Sequence, residues 1–152
     1  MKNKNLILII IFFFLTQCGY TAVYKQSPNS KIKIVILKME GNRELNNKIN
    51  LQLRKHSNTV SENEFKINIS TKLNKNTISK DETGKITNYE LIAISNFKIN
   101  YKNQSHNISF KESLKIKSVD DAFEQRKYEN IVKNNFASSI YEQLLFKLKT
   151  LQ

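Results

Sequence analysis

The residue with the most distinctive chemistry is Cys18, the last residue of the segment 15–18 (Leu-Thr-Gln-Cys). A basic start with Lys2 and Lys4 precedes it, followed by an uncharged apolar run over 6–15. This order is typical of a secretory signal peptide. A cysteine at the cleavage position looks like a bacterial lipobox, in which the thiol receives a diacylglyceryl group, the peptidase cuts before it, and the new amine is acylated.

The pattern predicts a lipoprotein signal peptide at 1–17, an acylated tether at 18–30 and a single domain at 31–152. Gln17 stands where a lipobox usually has a small residue. The alternatives are therefore an ordinary signal peptide with a chance cysteine, or an uncleaved anchor. A spanning helix needs roughly 18 apolar residues, more than the run at 6–15 provides. Acyl chains at ~0.8 kcal/mol per buried CH₂ would hold the protein on the membrane almost irreversibly.

The mature chain is long enough for one modest domain. Removal of residues 1–17 leaves 135 of the 152 residues, which suffices to bury a core. Cys18 is the only cysteine, so no disulfide forms within the chain, and a lipidated thiol is lost to redox or nucleophilic chemistry. Gly19 follows it. An Asp at that position favours retention in the inner membrane in familiar Gram-negative sorting, so we expect the outer membrane.

The charge balance indicates an anionic partner. The formal net charge is +12, and loss of Lys2 and Lys4 with the signal peptide lowers it to +10. Such a surplus favours phosphate-rich or acidic ligands. An exported lipoprotein rarely meets nucleic acid, so we expect phosphorylated lipid or anionic glycolipid and no nucleic acid. The alternative is that much of the lysine is ordinary solvated surface in a chain rich in Lys, Asn and Ile.

Hydrophobic periodicity predicts the order strand, helix, three strands, helix. Alternation predicts the strands, and apolar residues four apart predict the helices. The predicted elements are a strand at 31–37, a helix capped by Asn42 and ending near Lys55, strands at 65–73, 86–101 and 108–116, and a helix at about 122–149. Two meander-type connections make the last three strands antiparallel neighbours. The result is an α+β fold with two helices packed on a four-stranded sheet, in the order β-α-β-β-β-α.

Residues that could carry catalysis are scarce. His56 and His106 are lone histidines in predicted polar loops, so we expect no metal site. The acidic pairs at 81–82 and 120–121 are explained by a turn and a helix cap. Glu112 is the one unexpected acid, on an otherwise apolar strand face, where it would serve a buried pair or mark a sheet edge. No phosphate-binding loop or nucleophile motif occurs. We therefore expect no cofactor and no enzyme, with an exported envelope enzyme as the remaining alternative.

Lysines gather near the predicted strand turns and are the candidate contacts to lipopolysaccharide. The set comprises Lys72, Lys75, Lys80, Lys85, Lys98 and Lys102. Lysine ammonium groups can bind phosphate as point charges. The alternative is that these loops are solvated and keep sheet edges apart.

The segment 15–24 (Leu-Thr-Gln-Cys-Gly-Tyr-Thr-Ala-Val-Tyr) resembles the start of the LPS-assembly lipoproteins of the LptE family, which are RlpB-like. Cys18, Gly19, Tyr20 and Tyr24 match the family pattern, whereas Ala22 and Val23 replace its proline and leucine. The later order of elements is also similar, and the motifs at 121–123 and 137–141 are similar to those of alphaproteobacterial members. The resemblance spans essentially the whole chain.

The resemblance implies a non-catalytic subunit of the LPS translocon in the outer membrane. Its partner would be a β-barrel of the LptD type, inside which it would sit as a plug and assembly factor, periplasm-facing or within the barrel lumen. It would also bind lipopolysaccharide during insertion. The alternative is an accessory lipoprotein of an envelope lipid-transport complex, which would share the lipid anchor and the basic surface.

Overall fold

The computed structural model describes residues 31–152, so the predictions for the signal peptide, Cys18 and the tether lie outside the described residues. The elements are β1 (Lys33–Gly41), α1 (Arg43–Leu53), a 3₁₀ turn (Arg54–His56), β2 (Glu64–Lys80), β3 (Ile86–Tyr101), β4 (Gln104–Lys117) and α2 (Ala122–Thr150). The predicted α+β class and the order of elements are confirmed.

The four strands form one mixed sheet in the order β1-β2-β3-β4. β1 lies parallel to β2, and the other two pairs are antiparallel. A parallel pair needs a crossover connection, and α1 supplies it. β1 pairs only with 64–71, so the second half of β2 pairs with β3 alone within the described residues.

The end of β2 differs from the sequence prediction. The polar composition from Thr77 onward predicts a turn, but the strand continues to Lys80. β3 provides a partner along this length, with Thr77 opposite Tyr89 and Lys80 opposite Ile86. Paired backbone groups therefore override weak local strand propensity in this hairpin.

The core lies between one face of the sheet and the two helices. The predicted apolar side of β3 is buried, as is the four-residue ladder of α2. The ladder consists of Val132, Phe136, Ile140, Leu144 and Leu148. Phe65 and Ile67 of β2 meet this layer from the sheet with no exposed surface. Side chains on alternate strand positions thus form a single apolar layer.

Each helix begins at a polar cap, as the sequence predicts. The Asn42 side chain accepts a hydrogen bond from the Leu45 backbone N–H at 2.9 Å. The Asp121 carboxylate accepts bonds from the backbone N–H groups of Phe123 and Glu124 at 2.7 and 3.0 Å. These bonds satisfy donors that the first helical turn leaves unpaired.

A buried polar corner joins β1, α1 and β2. Gly41 has φ +93°, which turns the chain out of the strand. The backbone N–H of Asn42 donates to the Thr71 carbonyl at 3.1 Å. The Thr71 hydroxyl donates to Asn46 Oδ1 at 2.8 Å, and Asn46 Nδ2 donates to the Glu40 carbonyl at 3.0 Å. Since Asn46 and Thr71 are buried, these bonds offset the cost of removing them from water.

A second polar cluster fixes the first half of α2 to the sheet. Glu129 accepts hydrogen bonds from the Tyr89 hydroxyl at 2.9 Å, from Lys75 Nζ at 2.8 Å and from Gln125 Nε2 at 2.9 Å. Lys75 Nζ also lies 4.0 Å from the centroid of the Tyr89 ring. Burial disfavours the Glu129 carboxylate, but the bonds from Lys75 and Tyr89 outweigh burial, so the pKa of Glu129 is lowered.

We predict that Gly41→Ala strongly destabilises the fold, by roughly 3 kcal/mol or more, because it combines positive-φ strain with a backbone clash. A Cβ atom on Gly41 would lie 1.9 Å from the Thr71 carbonyl oxygen. Chemical denaturation measures the free energy of unfolding. Gly84→Ala is the matched control, because Gly84 also has positive φ but a Cβ there meets no atom within 4 Å. Equal losses in the two variants would contradict the role of the corner.

We predict that Glu129→Gln lowers the free energy of unfolding at neutral pH by about 1–2 kcal/mol, since it replaces charge-assisted bonds. A lowered folded-state pKa gives stability that is complete above the unfolded value and is lost as pH falls through the folded value. The difference between wild type and variant should therefore shrink below about pH 4. Glu142→Gln, at an exposed position of α2, is the control. A difference that stays constant down to acid pH would exclude this carboxylate as the cause.

Candidate anionic-ligand surface

Both helices pack on the same side of the sheet. Ile34, Phe65, Phe97 and Phe110 point to the helices and are buried. The side chains between them along each strand point the other way, and we call that side the open face. Within residues 31–152 no helix or strand covers it. Its central part comprises Lys38, Glu40, Asn68, Ser70, Lys72, Ile94, Asn96, Lys98, Asn107, Ser109 and Lys111.

The strand register arranges the open face in rows. The first row is Lys38, Asn68, Lys98 and Asn107; the second is Glu40, Ser70, Asn96 and Ser109; the third is Lys72, Ile94 and Lys111. Neighbours in a row are separated by about 4.8 Å, the distance between adjacent strands. The rows therefore bring residues from all four strands into contact range, although they are far apart in sequence.

A shallow groove runs over the first two rows. Its volume is about 390 Å³. Five of its eleven lining residues carry amides or hydroxyls, which both donate and accept hydrogen bonds. It is lined by Lys38, Glu40, Asn68, Ile69, Ser70, Asn96, Phe97, Lys98, Asn107, Ile108 and Ser109. The groove thus offers hydrogen-bonding groups to a hydroxylated ligand, alongside apolar surface.

Lysines outnumber carboxylates on the open face. Two lysines are paired, Lys33 with Glu64 at 2.7 Å and Lys38 with Glu40. A further six lysines form no ion pair with any of the described residues: Lys66, Lys72, Lys98, Lys111, Lys115 and Lys117. The remaining acid on this side of the strands is Glu90, opposite Lys115. The face therefore carries a net positive charge that attracts anions.

The six lysines chosen from the sequence do not form one group. Lys72 and Lys98 lie on the open face. Lys75 is an odd number of residues from Lys72 along β2, so it points to the helix side, where it bonds to Glu129. Lys102 lies in the two-residue turn between β3 and β4, where its ammonium sits 4.9 Å from the Tyr101 ring centroid. Lys80 and Lys85 lie at the tip of the β2–β3 hairpin.

That hairpin tip is held by its own hydrogen bonds. Asp81 accepts from the Thr83 hydroxyl at 2.7 Å and from the backbone N–H groups of Thr83 and Lys85 at 2.9 Å each. The Thr83 hydroxyl is the main reason that the pKa of Asp81 is lowered. Lys85 pairs with Asp120 at 2.7 Å, and this hydrogen bond raises the pKa of Lys85. The tip therefore has three acids, Asp81, Glu82 and Asp120, near its two lysines, Lys80 and Lys85.

Sequence reasoning missed Lys111 and the amide and hydroxyl rows of the groove. Lys111 lies on β4 away from any predicted turn, yet it shares a row with Lys72 through Ile94. The alternation of apolar and polar residues in β4 could have placed Lys111 on the polar side. The pairing register between strands was needed to place it beside Ile94. Ile92 and Ile94 add apolar groups to this side of β3, and both are half-buried among their neighbours although no helix or strand of residues 31–152 covers them.

The remaining candidate residues have local structural roles. Glu112 faces the helix side and accepts bonds from Ser139 at 2.9 Å and Gln143 at 2.5 Å. His56 Nε2 lies 3.0 Å from the Tyr141 hydroxyl. Burial, followed by the charges of nearby lysines, lowers the pKa of His56. Over residues 31–152, no group of three or more His, Cys, Asp or Glu side chains could hold a metal ion.

The helices of the described part are not built to cross a bilayer. Neither α1 nor α2 is both long enough and apolar enough for a membrane span. α2 is the longer of the two, with 29 residues, and it carries lysines and glutamates along its exposed side.

The fold is that of several bacterial lipoproteins of known structure. No family model matches the chain, and no curated protein sequence matches it. The rare lipoprotein B of Shewanella oneidensis shares the fold with a TM-score of 0.55 at 16% identity, over 77% of this chain and 98% of that one. A presumed lipoprotein of Caulobacter crescentus aligns with a TM-score of 0.55 at 15% identity, over 78% and 88%. A minor lipoprotein of Acinetobacter baumannii gives 0.50 at 15% identity, over 76% and 92%. The chain is thus similar in fold to rare lipoprotein B and its structural relatives.

Proposed function

We propose that this protein is a lipid-anchored outer-membrane lipoprotein that acts, without catalysis, in lipopolysaccharide assembly. Cys18 carries the anchor. The folded domain sits as a plug and assembly subunit in an outer-membrane β-barrel of the LptD type and binds lipopolysaccharide as it is inserted.

The observation that carries the proposal is the pairing of a lipobox-like cysteine with a domain whose open face is basic. The anchor would keep the domain at a membrane beyond the cytoplasm, where the abundant polyanions are phosphorylated lipids and glycolipids. Six lysines without ion partners among residues 31–152 suit such a ligand. The fold shared with rare lipoprotein B is consistent with the family resemblance of the N-terminal segment.

A barrel lumen would also suit this shape of molecule. The domain has a compact two-layer core, so it can fill space without depending on disulfides. Eleven large apolar side chains are exposed among the described residues, and three of them lie in the first half of α2, where Phe123 is 65% and Ile131 49% exposed. A packed interface with a protein partner would remove these groups from water.

We predict that the acylated protein, affinity-purified from detergent-solubilised envelopes, brings down a large outer-membrane barrel in near-equal amount. Mass spectrometry of the purified complex identifies and quantifies the partner. Recovery of inner-membrane transporter subunits alone would instead support an accessory lipoprotein of a lipid-transport complex. Recovery of neither would contradict the plug role and leave lipid binding to be judged on its own.

We predict that Cys18→Ser abolishes incorporation of radiolabelled palmitate and moves the protein out of the outer-membrane fraction. The thiol is the only group at which thioether-linked diacylglyceryl can form in this chain, since Cys18 is the only cysteine. Gln17→Gly is the companion variant, because it restores the small residue of a lipobox and should keep or increase labelling. Labelling of the serine variant at the wild-type level would disprove anchoring through Cys18.

A further inference from the structure

We infer that the open face binds the phosphorylated sugar headgroup of an anionic glycolipid, with Lys72 and Lys111 as paired phosphate contacts. The inference names the site and the ligand part that the proposed function leaves open, and in that sense rests on it. It places the contact on the middle of the sheet rather than at the lysine-bearing hairpin tip.

The spacing of Lys72 and Lys111 is the first argument. Both are exposed and both are in register with Ile94, one from β2 and the other from β4. Their backbones are therefore two strand spacings apart, or roughly 10 Å. That span matches a disaccharide that carries a phosphate at each end. Lysine ammonium groups on flexible stems can reach such phosphates as point charges.

The surroundings of the pair supply the second argument. The adjacent row, Glu40, Ser70, Asn96 and Ser109, begins the polar groove of about 390 Å³. Amides and hydroxyls there can exchange hydrogen bonds with sugar hydroxyls, and Lys98 adds a third ammonium one row further on. Ile94, half-buried between the two lysines, offers an apolar contact to the C–H side of a sugar ring.

Charge balance distinguishes this site from the hairpin tip. At the tip, Lys85 is already paired with Asp120 at 2.7 Å, and Asp81 and Glu82 add further negative charge. An incoming phosphate would have to displace one carboxylate and approach two others. On the open face, the acid of the neighbouring row, Glu40, is paired with Lys38. Lys72 and Lys111 therefore remain available to phosphate.

The shape of the site also selects the headgroup over the acyl chains. The groove is shallow and open to solvent, whereas an acyl chain requires a deep apolar cavity to remove it from water. On the open face, Ile92 and Ile94 form one small apolar pair, and their partners on the adjacent strands are polar. The acyl chains would thus stay outside this domain, in detergent, membrane or the partner.

The test uses the full-length acylated protein in detergent and, as probe, a deacylated glucosamine disaccharide with a phosphate at each end. Calorimetry measures the dissociation constant. Lys72→Gln combined with Lys111→Gln should weaken binding about tenfold, as expected for two solvent-accessible charge contacts. Wild-type binding should also weaken as salt rises, and the double variant should show a smaller salt dependence.

Two matched controls remove the same charge elsewhere. Lys80→Gln with Lys85→Gln tests the tip, and Lys127→Gln with Lys147→Gln tests the exposed side of α2. Each should change binding by less than about twofold, since neither pair lies on the open face. Thermal unfolding by circular dichroism confirms that all variants are folded, which is expected because all six lysines are exposed.

Three calorimetric results would overturn the inference: wild-type affinity in the open-face variant, an equal or greater loss in the tip variant, or equal binding of the disaccharide without phosphates. Barrel co-purification of the same variants separates this inference from the proposed function. If no barrel co-purifies with the wild-type protein but the disaccharide still binds, the plug role alone is contradicted. If a barrel co-purifies with the wild-type protein but the disaccharide does not bind, the headgroup site alone is contradicted. Loss of barrel binding together with wild-type disaccharide affinity in the open-face variant would make that face a protein interface and overturn the inference.

Discussion

One-sided packing is the constraint on which the rest of this molecule depends. A four-stranded sheet has two faces, and the two helices of residues 31–152 both cover the same one. Because side chains alternate along a strand, residues at odd and even positions face opposite sides of the sheet. The buried layer takes Phe65, Ile67 and Ile69, so the intervening Lys66 and Asn68 must face outward. The fold thus segregates apolar from charged groups and leaves a wide polar surface.

The corner at Gly41 determines that α1 joins this one-sided arrangement. The chain has to leave β1, cross the buried layer and return as the parallel neighbour β2. A positive φ at Gly41 provides the change in direction, and the close contact with the Thr71 carbonyl leaves no room for a side chain. Asn46 then links α1 to both strands. The Glu129 cluster serves α2 in a similar way, far from this corner in sequence, so each helix has its own polar attachment in addition to apolar packing.

The sequence was sufficient for the elements and their buried sides, but not for the grouping of lysines. The α2 ladder and the apolar side of β3 follow from periodicities of about 3.6 and 2 residues, which are local properties. Lys72 and Lys75 lie close in sequence, yet odd separation in a strand puts them on opposite faces, and parity could have shown this. The proximity of Lys72 to Lys111 depends on the register of β2, β3 and β4, which no single strand encodes. The extension of β2 to Lys80 has the same origin, since it depends on a partner strand.

Protection of sheet edges explains part of the lysine distribution but not all of it. β4 is an edge strand, and Lys115, Lys117 and the inward-facing Glu112 are devices that commonly block edge-to-edge pairing. Lys98 belongs to β3, which has a neighbouring strand on both sides and therefore no free edge to protect. It lies instead in the polar groove, one row from Ser70 and Asn96. A charge in the middle of a sheet face has no role in edge protection, so Lys98 remains available as the third ammonium beside Lys72 and Lys111.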